Sequence, residues 1–241
     1  MRRPLATFAL TGAAALAAAP AASAARVDAL VVGPHGVLRG PKAVTLKQRT
    51  VAVGHRRCAV GAKTPLSVLA ATGLKLGIRD QGTCNGNPKN AGALYVFRVG
   101  SHRERGRSGW VYKVGNRAGT TGSADPTGPF GNGRGLHGGQ RVLWFWCTLN
   151  RSGGCQRTLD ARPDRTAAAP GQPLRVTVRG YDDQGRGVAV QGAAVRLGGA
   201  RALTGADGVA TLTVPKARGR LRLRATHAGL VPAFPRKVSV R

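Results

Sequence analysis

The sequence predicts a two-part protein behind a leader at residues 1–24. Residues 25–158 read as an α+β domain with one main helix on a sheet, and residues 159–241 as an all-β sandwich. Three observations carry this. Trp110, Trp144 and Trp146, all the tryptophans of the chain, fall between Gly109 and Cys147 in two short runs rich in β-branched and aromatic residues and bounded by glycine. Such runs are strands, and in a chain with 5% aromatic residues they mark where a core forms. Thr64 to Gly73 carries the start and stop signals of a helix. After Leu159, short alternating runs are separated by turn residues, the pattern of an antiparallel sandwich.

Taken in order, Met1 to Ala24 is a secretory signal. Arg2 and Arg3 form the positive start, Leu5 to Ala19 the apolar run, and Ala22-Ser23-Ala24 the small residues at the cleavage site. The run is alanine-rich and short of the ~20 strongly apolar residues a membrane span needs, so a secreted chain without a transmembrane segment is expected. The arginine pair also admits twin-arginine export. Val27 to Val32 and Ala43 to Val53 predict a hairpin around Gly33-Pro34-His35-Gly36. Thr64 caps the helix, Pro65 suits its first position and Gly73 its end, with Leu66, Leu69 and Ala70 on one face.

Ala93 to Val99 and Trp110 to Val114 follow as paired strands, and Arg141 to Cys147 closes the sheet. Gly100 to Ser108 is a basic loop, and Gly115 to Gly139 a glycine-rich connection too polar and flexible to build a core. Two strands, a helix and three strands is the order of a β-grasp-like α+β fold. Arg162 to Pro173 reads as a linker and leading edge. The strands beyond it are Leu174–Val178, Val188–Val190, Ala194–Leu197, Gly208–Val214, Leu221–Ala225 and Arg236–Val240.

Cys58, Cys84, Cys147 and Cys155 are an even set in an exported chain and predict two disulfides. Pairing Cys58 with Cys84 and Cys147 with Cys155 is favoured, because each pair is local and flanks one unit. No pair has the C-x2–4-C spacing of a structural zinc site.

The formal charge is +29, arginine far outnumbers lysine, and Glu104 is the only glutamate. Composition bias of a GC-rich bacterial genome accounts for part of this. The charge nevertheless attracts polyanions over about 8–10 Å at ordinary salt.

Two stretches resemble known families. Thr64-Pro65-Leu66-Ser67-Val68-Leu69, Tyr95-Val96-Phe97-Arg98-Val99, Gly109-Trp110-Val111-Tyr112-Lys113-Val114 and Arg141-Val142-Leu143-Trp144-Phe145 together resemble the transcobalamin-like C-terminal domain of secreted bacterial proteins, a domain of unknown function, over residues 44 to 147. Two departures are Gly115-Asn116 where the family has Asn-Gly, and Gly139-Gln140 where it often has Gly-Asp. The resemblance implies a β-grasp-like fold. In vertebrate cobalamin carriers the domain sits beside a large helical barrel, which has no counterpart here, so cobalamin binding is not carried over. A cobalamin-like molecule is only what the resemblance implies for a carrier function. Val195-Arg196-Leu197, Thr204 to Ala210 and Leu221 to Thr226 resemble bacterial Ig-like and prealbumin-like surface repeats, which imply spacing, display or adhesion.

Catalytic patterns are sparse. There is no Gly-x-Ser-x-Gly elbow and no glutamate pair, and Gly131 to Gly135 lacks the lysine of a phosphate loop. A Cys58–His55 dyad competes with disulfide use of Cys58, which an oxidising compartment favours. His35, His55, His102, His137 and His227 are scattered without a His-x3-His pair, so neither metal nor cofactor is expected. Two candidate sites remain. Arg98, Arg103, Arg105 and Arg107 form a candidate contact for an anionic cell-wall polymer or polysaccharide. Trp110, Tyr112, Trp144 and Trp146 are candidate ligand-facing aromatics, with burial of the indoles against the helix as the competing role. The expected function is a secreted, non-enzymatic binding or display protein of a bacterial envelope. The alternative is an extracellular carrier holding a small ligand between Gly115–Gly139 and the aromatic strands. No specific nucleic acid is implied.

Overall fold

The computed structural model describes residues 24–241. The leader assignment, apart from Ala24, falls outside them. The apolar runs form β1 (Arg26–Gly33), β2 (Gly36–Thr45), β3 (Arg49–Val53) and β4 (Arg56–Val60), followed by the helix α1 (Pro65–Ala70). Next come β5 (Leu76–Asp80), a 3-10 turn at Pro88–Ala91, β6 (Leu94–Val99), β7 (His102–Arg103), β8 (Ser108–Val114), β9 (Arg117–Ala118) and β10 (Arg141–Thr148). They build a five-stranded sheet ordered β2-β1-β10-β8-β9, a hairpin β3-β4 and a small sheet β5-β6-β7.

β1 and β10 are parallel neighbours, with Asp28 opposite Arg141 and Val32 opposite Phe145. Both are nearly continuous apolar runs, as strands covered on two faces must be. Val27, Ala29, Val31, Val142 and Trp144 face one apolar cluster, while Leu30, Val32, Leu143, Phe145 and Cys147 face another.

The expected α+β fold with a main helix is not what the chain builds; nearly all of its regular structure is β. The capping signals are in place: Thr64 Oγ1 accepts from Ser67 N, and Pro65 opens the helix. But α1 has only six residues, and Pro65 to Leu69 are all buried. At 1.5 Å per residue it spans about 9 Å, half the width of a five-stranded sheet. The rest of that face is covered by the β3-β4 hairpin and the β5-β6-β7 sheet, whose apolar residues join the same cluster. α1 is therefore a buried plug, not a layer.

Three further expectations change. β2 begins at Gly36, and the second half of the expected strand turns into a separate hairpin, β3 with β4. β8 pairs with β10, not with β6. The glycine-rich stretch is not a free connection. Ala124 and Leu136 are buried in the main cluster and Phe130 packs on it. A Cβ on Gly119 would lie about 2.1 Å from the Tyr112 ring, so that glycine is set by close packing.

The second group is β11 (Thr158–Pro163), β12 (Ala167–Ala168), β13 (Pro173–Tyr181), β14 (Gly187–Ala189), β15 (Ala194–Leu197), β16 (Ala200–Leu203), β17 (Val209–Thr213), β18 (Gly219–Thr226) and β19 (Arg236–Val240). β13 pairs with β11, β14 and β17, and the facing sheet runs β12-β19-β18-β15-β16. Between the sheets Leu174, Val176, Val178, Val195, Leu197, Leu223 and Val238 form a core of alternating residues. The segment expected as a linker, Arg162 to Pro173, supplies the last two residues of β11, in register with β13 through Pro163↔Val176, and all of β12, which pairs with β19.

The two groups meet along an apolar seam. Val231 and Phe234 pack on Leu30, Val32, Leu143 and Phe145. The Lys113 ammonium lies fully buried in it, donating to Asp182 O at 2.8 Å, Tyr181 O at 3.1 Å and Thr158 Oγ1 at 3.3 Å, with Asp183 Oδ1 at 3.5 Å. Burial pushes Lys113 below the usual lysine range, and the Asp183 charge partly offsets it.

Disulfides join Cys58 to Cys84 and Cys147 to Cys155, the kind of bond an oxidising, extracytoplasmic compartment maintains. The second borders the seam. Replacing Cys147 and Cys155 by serine is expected to lower stability by about 2.5 kcal/mol, since it releases a short loop in the unfolded chain. Urea denaturation of the two chains checks this. No helix among the described residues is long and apolar enough to cross a membrane.

Candidate functional site

The outer face of the sheet β12-β19-β18-β15-β16 follows from alternation. In β18, Leu223 and Ala225 point into the sandwich core, so Arg220, Arg222 and Arg224 point out. In β15, Val195 and Leu197 are buried and Arg196 is exposed. Register then sets like charges opposite one another. Arg196 lies opposite Arg201 on one side and opposite Arg224 on the other. Arg222 lies opposite Lys237. None of the five strands contains an aspartate or glutamate. No ion pair among the described residues uses these six cations.

Directly opposed residues sit about 5 Å apart, and next neighbours along a strand about 7 Å. Each like-charge pair costs roughly 0.7 kcal/mol before salt screening. The fold therefore carries a grid of unneutralised positive charge that costs it stability. An anion laid on the grid removes that cost.

At its edge the grid opens into a cleft of about 800 Å³ between the sandwich and the start of β1 and β10, lined by Arg222, Lys237, Arg236, Arg141, Arg162 and Asp28. Beneath three of these cations lies Asp160 on β11, 2% exposed. Its Oδ1 accepts from Arg141 at 3.1 Å and Arg236 at 3.0 Å, and its Oδ2 from Arg162 at 2.8 Å. Burial by itself would raise this carboxyl, but the hydrogen bond from Arg162 and the Arg141 and Arg236 charges hold it down to about 2. One carboxylate against three guanidiniums leaves the cleft wall positive and the arginines fixed in position.

The arginines singled out from sequence lie elsewhere. Arg98, Arg103, Arg105 and Arg107 belong to β6, β7 and the turn after them. Arg103 sits over the Phe97 ring at 5.1 Å, as Arg79 does at 4.5 Å. Arg107 donates to Asn150 O at 2.8 Å, and the Arg98 Nε is buried without a hydrogen-bond partner among the described residues. Glu104 in the same turn accepts from Arg79 and Tyr95. Burial first, and then the bond to Glu104, push the Tyr95 hydroxyl up to about 12. Arg103 and Glu104 thus engage their own hairpin, while no side-chain hydrogen bond or ion pair among the described residues uses Arg105. Local charge density pointed to it, whereas the sheet face is legible only as alternation in Arg220 to Thr226 combined with long-range register.

Three of the four candidate aromatics are buried. Trp110, Tyr112 and Trp144 are 5%, 7% and 2% exposed. Trp144 donates to Pro65 O, Trp110 to His102 O and Tyr112 to Thr121 O. They border a cleft of about 380 Å³ beside the glycine-rich stretch. Trp146 differs: it is half-buried and lines another cleft. Among the described residues no group of three or more His, Cys, Asp or Glu is placed to hold a metal ion.

No protein-family model matches the chain, so none supports the transcobalamin-like resemblance. No curated protein matches it either. Among solved structures it is similar to one titled "FdeC, a Novel Broadly Conserved Escherichia coli Adhesin Eliciting Protection against Urinary Tract Infections", at 14% identity and a TM-score of 0.31, covering 93% of this chain and 66% of that one. The likeness is loose at that score, and this chain spans about two thirds of the length of the adhesin chain.

Proposed function

We propose that the protein is a secreted, non-enzymatic binding protein of a bacterial envelope that holds polyanionic surface material on the outer face of its second sheet. The observation that carries this reading is the opposition of Arg201, Arg196 and Arg224, and of Arg222 and Lys237, with no acid in the five strands. Folding alone gives no reason to keep like charges in register, since a threonine at any of these sites would stabilise the sheet. The two disulfides fit display outside the cell.

Two triple variants test it. Replacing Arg196, Arg222 and Arg224 by threonine is expected to lower the salt concentration that elutes the protein from immobilised heparin to less than half that of the parent. Replacing Arg103, Arg105 and Arg107 by serine is expected to move it much less. Equal elution of the parent and the sheet variant would remove the sheet face from the reading.

A second reading, an extracellular carrier of a small apolar ligand, is favoured by the cleft of about 380 Å³ beside Tyr112 and Gly119. Saturable binding of an apolar fluorophore, displaced by one metabolite of a panel and insensitive to salt, would support it over the first.

A further inference from the structure

The exposed row on β18 does not stop at Arg224. Thr226 is the next outward residue, and together with His227 it lines a cleft of about 480 Å³ that also holds Trp146, Thr148 and the prolines Pro34 and Pro232. From Arg222 to Thr226 is about 13 Å of strand. The charged cleft and the Trp146 cleft therefore lie at two ends of one track, at opposite ends of the seam where β1 and β10 meet the second group of strands.

Trp146 is the tryptophan whose donor is not used inside the fold. The Trp110 and Trp144 indoles donate to backbone carbonyls, whereas no hydrogen bond among the described residues uses the Trp146 N–H. Its position is fixed all the same. Trp110 packs edge-on against it with ring centroids 5.5 Å apart, and Gln156 donates to its carbonyl oxygen. A held, half-buried indole with an open N–H, beside two threonine hydroxyls, offers an apolar surface and polar groups to one ring-sized, hydroxyl-bearing unit.

Resting on the polyanion reading above, we infer that the ligand is an acidic glycan: one sugar ring seats against Trp146 while carboxylate or phosphate groups further along the chain lie on Arg224, Arg222 and Lys237. Single-stranded nucleic acid also combines charge with stacking, but it is held on successive aromatic platforms. Here the other aromatics of the cluster are buried, so the track supplies one such platform.

The test compares the full chain with Trp146→Ala and Trp146→Phe on three probes at fixed salt: polygalacturonate, inorganic polyphosphate and oligo(dT). Thermal melts confirm that the variants are folded. Trp146→Ala is expected to weaken polygalacturonate binding about tenfold and leave polyphosphate within twofold, and Trp146→Phe to restore most of the loss. An unchanged polygalacturonate affinity, an equal loss on polyphosphate, or a larger loss on oligo(dT) overturns the glycan assignment and leaves the basic face standing. Failure of the unmodified protein to bind any of the three overturns both.

Discussion

An Asp160→Ala chain is expected to unfold with about 3–5 kcal/mol less free energy than the parent, because three arginines lose the one buried carboxylate that holds them together. Its pH dependence identifies the cause. The folded-state pKa of Asp160 is about 2, below its ordinary 3.8, so the native protein binds this proton less readily than the unfolded chain. The group therefore contributes stability above the ordinary carboxylate range, and the contribution fades as pH falls through about 4 to 2. The amount lost is about 2 kcal/mol. The difference in unfolding free energy between parent and variant should be constant from pH 7 to 5 and shrink below that. A constant difference down to pH 2.5 would mean that the arginines do not hold the carboxylate charged.

Trp144→Ala is the second large effect. The side chain is 2% exposed in the main cluster, pairs in register with Tyr112 at 5.5 Å between ring centroids, and donates to the carbonyl of Pro65. Removing it leaves a cavity beneath α1 and takes away the indole N–H donated to the Pro65 carbonyl. A loss of about 3–5 kcal/mol is expected in urea denaturation. Trp146→Ala, two residues on and on the same face but half-buried at the edge of that cluster, should lose less than half of that. Equal losses would contradict the division of the two indoles between core and cleft.

Local signals were readable where they decide local structure. The runs around Trp110 and Trp144 became β8 and β10, Thr64 and Pro65 start a helix, and the alternation after Leu174 became sandwich strands. What failed was length and partnership. Caps mark where a helix begins and ends without saying that six residues are too few to form a layer. Leu76 to Asp80 became a strand because β6 lies beside it, and β8 chose β10 over β6. Both depend on contacts far apart in the chain.

The two basic surfaces differ in legibility for the same reason. Arg103, Arg105 and Arg107 crowd together in sequence and stand out there; in the fold Arg103 lies over the Phe97 ring and Arg107 donates to Asn150 O. Arg196, Arg201 and Arg224 come from three separate strands, and only the register of β16, β15 and β18 shows them side by side.

A salt titration of polygalacturonate affinity, run in parallel on the parent and on the Arg196→Thr, Arg222→Thr, Arg224→Thr chain, bears most directly on the central claim. The parent should show a steep linear fall of log K with log salt. The variant should bind at least tenfold more weakly at 0.1 M salt, with a slope shallower by about 2, while its melting temperature stays the same or rises. The same affinity and slope in both chains, or a variant that binds weakly only because it has unfolded, would contradict it.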